Sequence, residues 1–129
     1  PIFYVQYCYA RISSLFRTLK IDLNYKIEID EENFNLNEFE LKLFRKVIDW
    51  PKVIDTASSK HEPHRIPFYL YELATLFHSY WSKGNEDAKY KFIINEKIKN
   101  KNTLLIIRLV ALTIENGMKI LGVKLPNKM

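Results

Sequence analysis

Apolar residues recur along most of this chain at steps of three and four, the period of a helix that buries one face. The pattern predicts five helices, over residues 2–20, 36–50, 51–60, 63–84 and 103–121. A short strand is expected at 90–94, in the lysine-rich connection before the last helix. The last helix is apolar nearly all round, so we expect it at the centre. The predicted fold class is all-α, an antiparallel bundle of about five helices.

Residues at the ends of these segments support the boundaries. Asn35 and Glu38 have the spacing of a capping box at the start of the second helix. Pro51 suits the first turn of the third helix, where a backbone N–H would have no partner inside the helix. Gly84 and Gly122 are predicted to end the fourth and fifth helices, because glycine readily adopts the left-handed conformation found there.

The first predicted helix carries a second pattern beside its apolar face. Tyr4, Tyr7 and Arg11 follow one another at helical spacing and form a stripe about 100° round from that face. Flat aromatic rings and a planar guanidinium are the groups that bind the unstacked bases of single-stranded RNA. The stripe therefore predicts a nucleic-acid contact. The alternative is that the tyrosines are packing residues and Arg11 is a solvated charge, and the spacing alone leaves both open.

The residues that commonly carry catalysis or metal binding form no set here. On the fourth predicted helix, His78 and Trp81 lie on one line beside the buried edge, and His78 is interpreted as a core imidazole with satisfied hydrogen bonds. His61 and His64 stand three residues apart, but neither a cysteine nor a second histidine pair completes a metal set, so we assign them structural roles. The sequence therefore predicts no catalytic residues and no metal site in this chain.

Composition and charge favour a single domain with basic ends. The chain has 129 residues, of which 47% are apolar, enough for one sizeable core. Residues 1–20 carry three basic and no acidic groups, and residues 89–129 carry nine basic and two acidic ones. If these ends meet, they form a surface suited to a phosphate backbone. One cysteine favours a reducing, cytoplasmic setting, and no apolar run reaches the length of a membrane span.

Several motifs occur in a consistent order along the chain. Residues 5–12 read Val-Gln-Tyr-Cys-Tyr-Ala-Arg-Ile, residues 62–65 read Glu-Pro-His-Arg, and residues 69–74 read Tyr-Leu-Tyr-Glu-Leu-Ala. Residues 77–84 then read Phe-His-Ser-Tyr-Trp-Ser-Lys-Gly, and residues 117–129 end in Met. Together these motifs resemble the C-terminal, all-helical, DALR-type anticodon-binding domain of bacterial arginyl-tRNA synthetases. In that family the first motif commonly reads Val-Gln-Tyr-Ala-His-Ala-Arg-Ile.

The resemblance implies a reader of the anticodon loop of arginine tRNA. It places Tyr4, Tyr7, Arg11, Trp81 and Met129 at positions that line the anticodon pocket in the family. The whole chain, 1–129, would be the C-terminal fragment of an ATP-dependent class I ligase that joins arginine to its tRNA. ATP and magnesium would act in the catalytic domain upstream, which would also be a partner of this domain. The fragment itself would have no catalytic centre, no cofactor and neither DNA nor a membrane as a partner.

The chain also departs from the family pattern. Gln6 and Tyr69 match the motifs, but we assign them to local structure rather than to RNA contacts. The Asp-Ala-Leu-Arg tetrapeptide does not occur. Other departures are Cys8 and Tyr9 in place of alanine and histidine, Thr103 in place of a common arginine, and Asn127 and Lys128 near the end.

A helical module that docks another protein is the competing function. Tyrosine, tryptophan and arginine also dominate protein–protein interfaces, so the same exposed stripe suits either partner. Salt distinguishes the two functions, because binding to phosphates weakens steeply as salt rises and aromatic docking does so less.

Overall fold

The computed structural model describes residues 2–126, and over that range it contains five α-helices and a two-stranded hairpin. The helices are α1 (Ile2–Thr18), α2 (Glu38–Ile48), α3 (Trp50–Ser59), α4 (Arg65–Glu86) and α5 (Lys101–Leu121). A 3₁₀ turn at Ala88–Tyr90 leads to the strands β1 (Ile93–Ile94) and β2 (Lys97–Ile98), which pair antiparallel. The predicted all-α helical bundle is confirmed.

The order of contacts between the helices gives their directions. Tyr4 contacts Tyr71 and, further along both helices, Arg11 contacts Trp81, so α1 and α4 run the same way. α5 runs in the opposite direction, because the chain that follows it accepts a hydrogen bond from the beginning of α1. The parallel course of α1 and α4 matters for function, since it aligns the stripe on α1 with the corresponding line on α4.

α5 lies at the centre of the bundle and packs against α1, α2 and α4. Its buried apolar residues are Leu104, Ile106, Ile107, Val110, Ala111, Ile114 and Met118. Gly117 allows α5 and α4 to approach closely, because a Cβ at this position would lie 2.8 Å from the side chain of Leu70 on α4. Gly122 ends α5 in the left-handed conformation with a φ of 71°, as the sequence predicted.

Gly84 does not end α4, contrary to the sequence prediction. The helix continues to Glu86, and Gly84 is buried within it. A Cβ at Gly84 would lie 3.2 Å from backbone atoms of Tyr90 and Lys91. The absence of a side chain therefore lets the segment before the hairpin pack closely against α4.

The cap of α2 lies two residues beyond the predicted one. The side-chain oxygen of Asn37 accepts hydrogen bonds from the backbone N–H groups of Phe39 and Glu40, and the Glu40 carboxylate accepts one from the backbone N–H of Asn37. Asn35 and Glu38 have the same spacing, so the local sequence permits either register. The observed register turns Glu40 into the protein interior, which the local pattern could not indicate.

Glu40 joins three helices at one buried point. Its side chain is 4% exposed, and its carboxylate accepts hydrogen bonds from the hydroxyls of Tyr80 on α4 at 2.7 Å and Thr103 on α5 at 2.5 Å. Burial, followed by the hydrogen bond to Glu40, raises the pKa of Tyr80. Thr103, which departs from the family pattern, thus has a structural partner. We call Glu40, Asn37, Tyr80 and Thr103 the Glu40 junction.

Candidate functional site

The predicted stripe on α1 packs against α4 along the seam between these two helices. The ring centroid of His78 lies 4.9 Å from that of Tyr4 and 5.6 Å from that of Tyr7, with the Tyr7 and His78 planes 27° apart. Arg11 extends from the next turn of α1 toward Trp81. The structure therefore brings together Tyr4, Tyr7, Arg11 and Trp81. We call these four residues and His78 the aromatic–arginine cluster.

Arg11 is the centre of this cluster. Its guanidinium carbon lies 4.7 Å from the ring centroid of Trp81 and 5.1 Å from that of Tyr7, within the range of cation–π attraction. One terminal nitrogen of Arg11 donates to the Tyr7 hydroxyl at 3.0 Å, and the other lies 3.2 Å from Nδ1 of His78. Arg11 is therefore held in a defined position between two helices, and the interpretation of it as a solvated charge does not describe these contacts.

Exposure differs among the aromatic rings of the cluster. Tyr7 is 38% exposed and is the most open of them, whereas Tyr4 and Trp81 are half-buried. Trp81 packs on Phe77 and Phe92, which attaches it to the core. The cluster thus combines an anchored tryptophan with a tyrosine ring that a ligand can reach.

His78 departs from the prediction that it is a satisfied core imidazole. It is half-buried, and burial together with the adjacent Arg11 charge lowers its pKa from 6.5 to about 4. Because a guanidinium only donates hydrogen bonds, Nδ1 of His78 is the acceptor and the ring proton resides on Nε2. Among residues 2–126, Nε2 has no hydrogen-bond partner although that atom is buried.

A groove runs from the cluster between α1 and the β-hairpin. It has a volume of about 900 Å³ and is lined on the α1 side by Tyr7, Ala10, Arg11, Ser14, Leu15, Arg17 and Thr18. Trp81, Lys91, Ile93, Asn95 and Glu96 line the facing side. Three of these residues are basic and one is acidic, so the groove suits an anionic chain. The side of the groove that the β-hairpin forms was not predicted as part of a site, because the sequence pattern indicates only the first of the two strands.

The remaining site predictions have different outcomes. Met129 lies outside the described residues 2–126. Gln6 donates to the backbone carbonyl of Lys124 at 3.0 Å, and the Tyr69 hydroxyl donates to that of Lys46 at 2.5 Å, so both side chains make tertiary contacts within the fold.

Cys8 and Tyr9, which depart from the family pattern, have structural roles. Cys8 is buried, and burial raises the pKa of its thiol. The Tyr9 ring is buried too, and its hydroxyl donates to Glu115 on α5 at 3.3 Å. Both residues are therefore part of the packed interior.

Within residues 2–126, histidine, cysteine, aspartate and glutamate side chains nowhere gather in threes that could ligate a metal ion. His61 and His64 are both exposed. None of the helices in this range combines the length and the apolar character needed to cross a membrane.

Comparisons with known proteins agree with the fold. The family model described as the DALR anticodon binding domain matches residues 5–129. An arginine–tRNA ligase of Pelagibacter ubique is 44% identical to the chain over 129 residues, and one of a Methylobacterium species is 39% identical over 138 residues. Both ligase matches cover the whole chain.

A solved structure is similar as well. A chain described as an arginyl-tRNA synthetase from Campylobacter jejuni superposes with a TM-score of 0.77 at 26% identity, over all of this chain and 26% of that one. The chain spans 22% of the Pelagibacter protein and 23% of the Methylobacterium protein. It therefore corresponds to one part of each longer relative.

Proposed function

Because the chain belongs to the DALR anticodon binding domain family, we propose that it reads the anticodon of an arginine tRNA as one domain of an arginine–tRNA ligase. The relatives that match the whole chain carry that name. The observation that carries the proposal is the aromatic–arginine cluster, in which Tyr7, Arg11 and Trp81 combine flat surfaces with a fixed positive charge.

The cluster suits an anticodon base because of the way in which its groups are already engaged. Arg11 directs N–H groups toward Tyr7 and His78 and lies over the ring of Trp81, so it is ordered before RNA binds. A base that stacks on the cluster meets planar rings and the positive charge of Arg11, and little conformational entropy is lost because these side chains are already ordered. Tyr7, the most exposed ring, is the first surface that an entering base would contact.

The groove supports a path for the RNA backbone beside that base. Arg17 and Lys91 line it on opposite sides, and Lys91 lies between Trp81 and the hairpin along the chain. Lysine and arginine along such a groove bind phosphates by electrostatic attraction, which weakens as salt rises. We assign the bases to the cluster and the flanking phosphates to the groove.

Binding of the 129-residue chain to an arginine tRNA tests the proposal. The comparison is with the same tRNA carrying a changed middle anticodon base, a change that we expect to weaken binding by about tenfold or more. Affinity for the unchanged tRNA should fall steeply between low and high salt. Equal affinity for the two tRNAs would contradict anticodon reading.

The rest of the assignment concerns the longer protein. We assign residues 1–129 to a single anticodon-binding domain in the C-terminal part of a class I ligase, in a cytoplasmic setting. ATP and magnesium belong to the catalytic domain in this assignment, and this domain has no catalytic role. The catalytic domain is also proposed as a contact partner.

A protein-docking function is the second candidate, and one observation favours it. Phe3 on α1 and Phe68 on α4 are 68% and 67% exposed, and both lie in the first turns of parallel helices. Exposed phenylalanines are more typical of an apolar contact than of a phosphate-binding surface. Retention of tRNA affinity at high salt, without dependence on the anticodon, would favour this candidate.

A further inference from the structure

We propose that His78 is a positioning residue for RNA binding, which holds the Arg11 guanidinium in the orientation that the anticodon base meets. This inference rests on the proposed function and extends it to a residue that would not itself contact RNA. It follows from three features of the seam between α1 and α4: the hydrogen bond to Arg11, the ring contacts of His78, and its unpaired nitrogen.

The hydrogen bond fixes the direction of Arg11. Nη1 of Arg11 lies 3.2 Å from Nδ1 of His78, and Nη2 donates to the Tyr7 hydroxyl at 3.0 Å. Two acceptors on the two terminal nitrogens define the plane of a guanidinium as well as its position. Tyr7 is exposed and His78 is half-buried, so His78 is the better shielded of these two acceptors.

The ring of His78 orders the rest of the cluster at the same time. It stacks on Tyr7 with centroids 5.6 Å apart and lies 4.9 Å from the ring of Tyr4. Phe77 precedes it and packs into the core, which fixes the backbone from which His78 projects. A phenylalanine at position 78 would keep these ring contacts and lose only the acceptor.

The unpaired nitrogen argues that packing alone does not account for a histidine here. Among residues 2–126, Nε2 of His78 is buried and has no hydrogen-bond partner, which is a cost that phenylalanine would not carry. The nitrogen that remains, Nδ1, is the one that accepts from Arg11. The feature that separates histidine from phenylalanine at this position is therefore its acceptor toward Arg11.

Two substitutions separate the acceptor from the ring. His78→Phe keeps the aromatic stack and removes the acceptor, whereas His78→Asn removes the stack and keeps a side-chain oxygen close to the place of Nδ1. Ser79→Asn, at the exposed neighbouring position of α4, is the matched control for asparagine in this helix. Affinity for an arginine tRNA is measured at low salt for each variant of the 129-residue chain.

We expect His78→Phe to weaken binding about tenfold, because a hydrogen bond to a charged group is lost. His78→Asn should bind the tRNA within about threefold of the affinity of the unchanged chain. Ser79→Asn should bind it as tightly as the unchanged chain does. The melting temperature of His78→Phe should equal or exceed that of the unchanged chain, since an unpaired buried N–H is removed. A purely structural role would instead lower it.

A double-mutant cycle shows whether His78 acts through Arg11. In an Arg11→Ala background, His78→Phe should change affinity by less than about twofold, because there is no guanidinium left to orient. A tenfold loss that persists in this background would overturn the inference, as would His78→Phe binding like the unchanged chain or failure of His78→Asn to restore affinity. If the unchanged chain does not distinguish the two tRNAs, the proposed function itself fails, which is a different result from any of these.

Discussion

The Glu40 junction and the aromatic–arginine cluster both place a charged side chain between helices, and they differ in how completely that charge is satisfied. Glu40 is buried and accepts from two hydroxyls and one backbone N–H, so its carboxylate is satisfied within the fold. Arg11 is half-buried beside exposed Tyr7 and a groove, and within the described residues 2–126 Nε2 of its partner His78 has no hydrogen-bond partner. A closed network of this kind stabilises a fold, whereas an open one beside flat rings is suited to binding.

This comparison predicts opposite consequences for substitution. Changes in the Glu40 junction should reduce the stability of the fold and leave the chemistry of the RNA surface intact in the molecules that remain folded. Changes in the aromatic–arginine cluster should reduce RNA binding more than stability.

Glu40→Ala should lower the free energy of unfolding by about 3 kcal/mol or more. It leaves the buried hydroxyls of Tyr80 and Thr103 without an acceptor. It also removes the bond by which the Glu40 carboxylate accepts from the backbone N–H of Asn37 in the cap of α2. Urea unfolding measures the change. The matched control is Glu38→Ala, an exposed residue of the same helix whose hydrogen bond to Tyr90 is also exposed, and it should cost less than about 1 kcal/mol. Equal losses in the two variants would contradict the role of the junction.

Tyr7→Ala and Trp81→Ala should each weaken tRNA binding by at least about tenfold, or about 1.4 kcal/mol, because each removes a ring that supports base stacking. The affinity of Tyr7→Phe for the tRNA should stay close to that of the unchanged chain, since it loses only one exposed hydrogen bond to Arg11.

Arg11→Lys should weaken tRNA binding, because an ammonium cannot reproduce the planar guanidinium. Fluorescence anisotropy with labelled tRNA gives the affinities.

The control for these ring removals is Tyr25→Ala, which removes a tyrosine that is 63% exposed in the loop after α1. Circular dichroism must first show that Trp81→Ala is folded, because Trp81 also packs on Phe77 and Phe92. If folded Tyr7→Ala and Trp81→Ala bind the tRNA as tightly as Tyr25→Ala, the assignment of the cluster to the anticodon is wrong.

Lys91→Ala should weaken tRNA binding severalfold at low salt and reduce the slope of log affinity against log salt by about 0.7, the contribution of one phosphate contact on a single strand. Lys97→Ala is the matched control, because Lys97 is an exposed lysine of the same hairpin region that does not line the groove. A salt titration of both variants separates a local contact from a general effect of net charge. Identical slopes would remove the groove from the proposed RNA path.

The sequence predicted the architecture well because helical periodicity is a strong signal over segments of this length. It identified all five helices and the central position of α5, and it placed Tyr4, Tyr7 and Arg11 on one stripe. Their meeting with Trp81 was suggested by the family resemblance rather than by spacing, since spacing within one helix does not say which neighbouring helix will face it.

The incorrect details share one physical origin. Asn35 and Asn37 satisfy the same local capping rule, and the choice between them depends on Glu40 reaching Tyr80 and Thr103 on other helices. Gly84 has the local signal of a helix end, but it serves the close approach of the segment at Tyr90. Tertiary contacts determine such positions, and local sequence patterns do not contain them.

The smallest expected effect is a loss of stability in mild acid that depends on His78. Its pKa is lowered from 6.5 to about 4 in the folded chain, so the unfolded chain takes up a proton first as the pH falls below 6.5. The folded state therefore loses stability between about pH 6.5 and pH 4, and it is most stable relative to the unfolded state above that window. Because the ring is half exposed, we expect a loss of only about 1 kcal/mol between pH 7 and pH 5.

His78→Phe isolates this contribution, since it leaves the exposed His61 and His64 unchanged. Urea unfolding of both proteins at pH 7, 6 and 5 measures it, and the free energy of unfolding should fall less in His78→Phe than in the unchanged chain. The same neutral imidazole that accepts from Arg11 would then be responsible for the acid sensitivity, because only the unprotonated Nδ1 can accept. Parallel curves for the two proteins would mean that burial and the Arg11 charge do not hold His78 neutral, and the aromatic–arginine cluster would then lack the acceptor on which its arrangement depends.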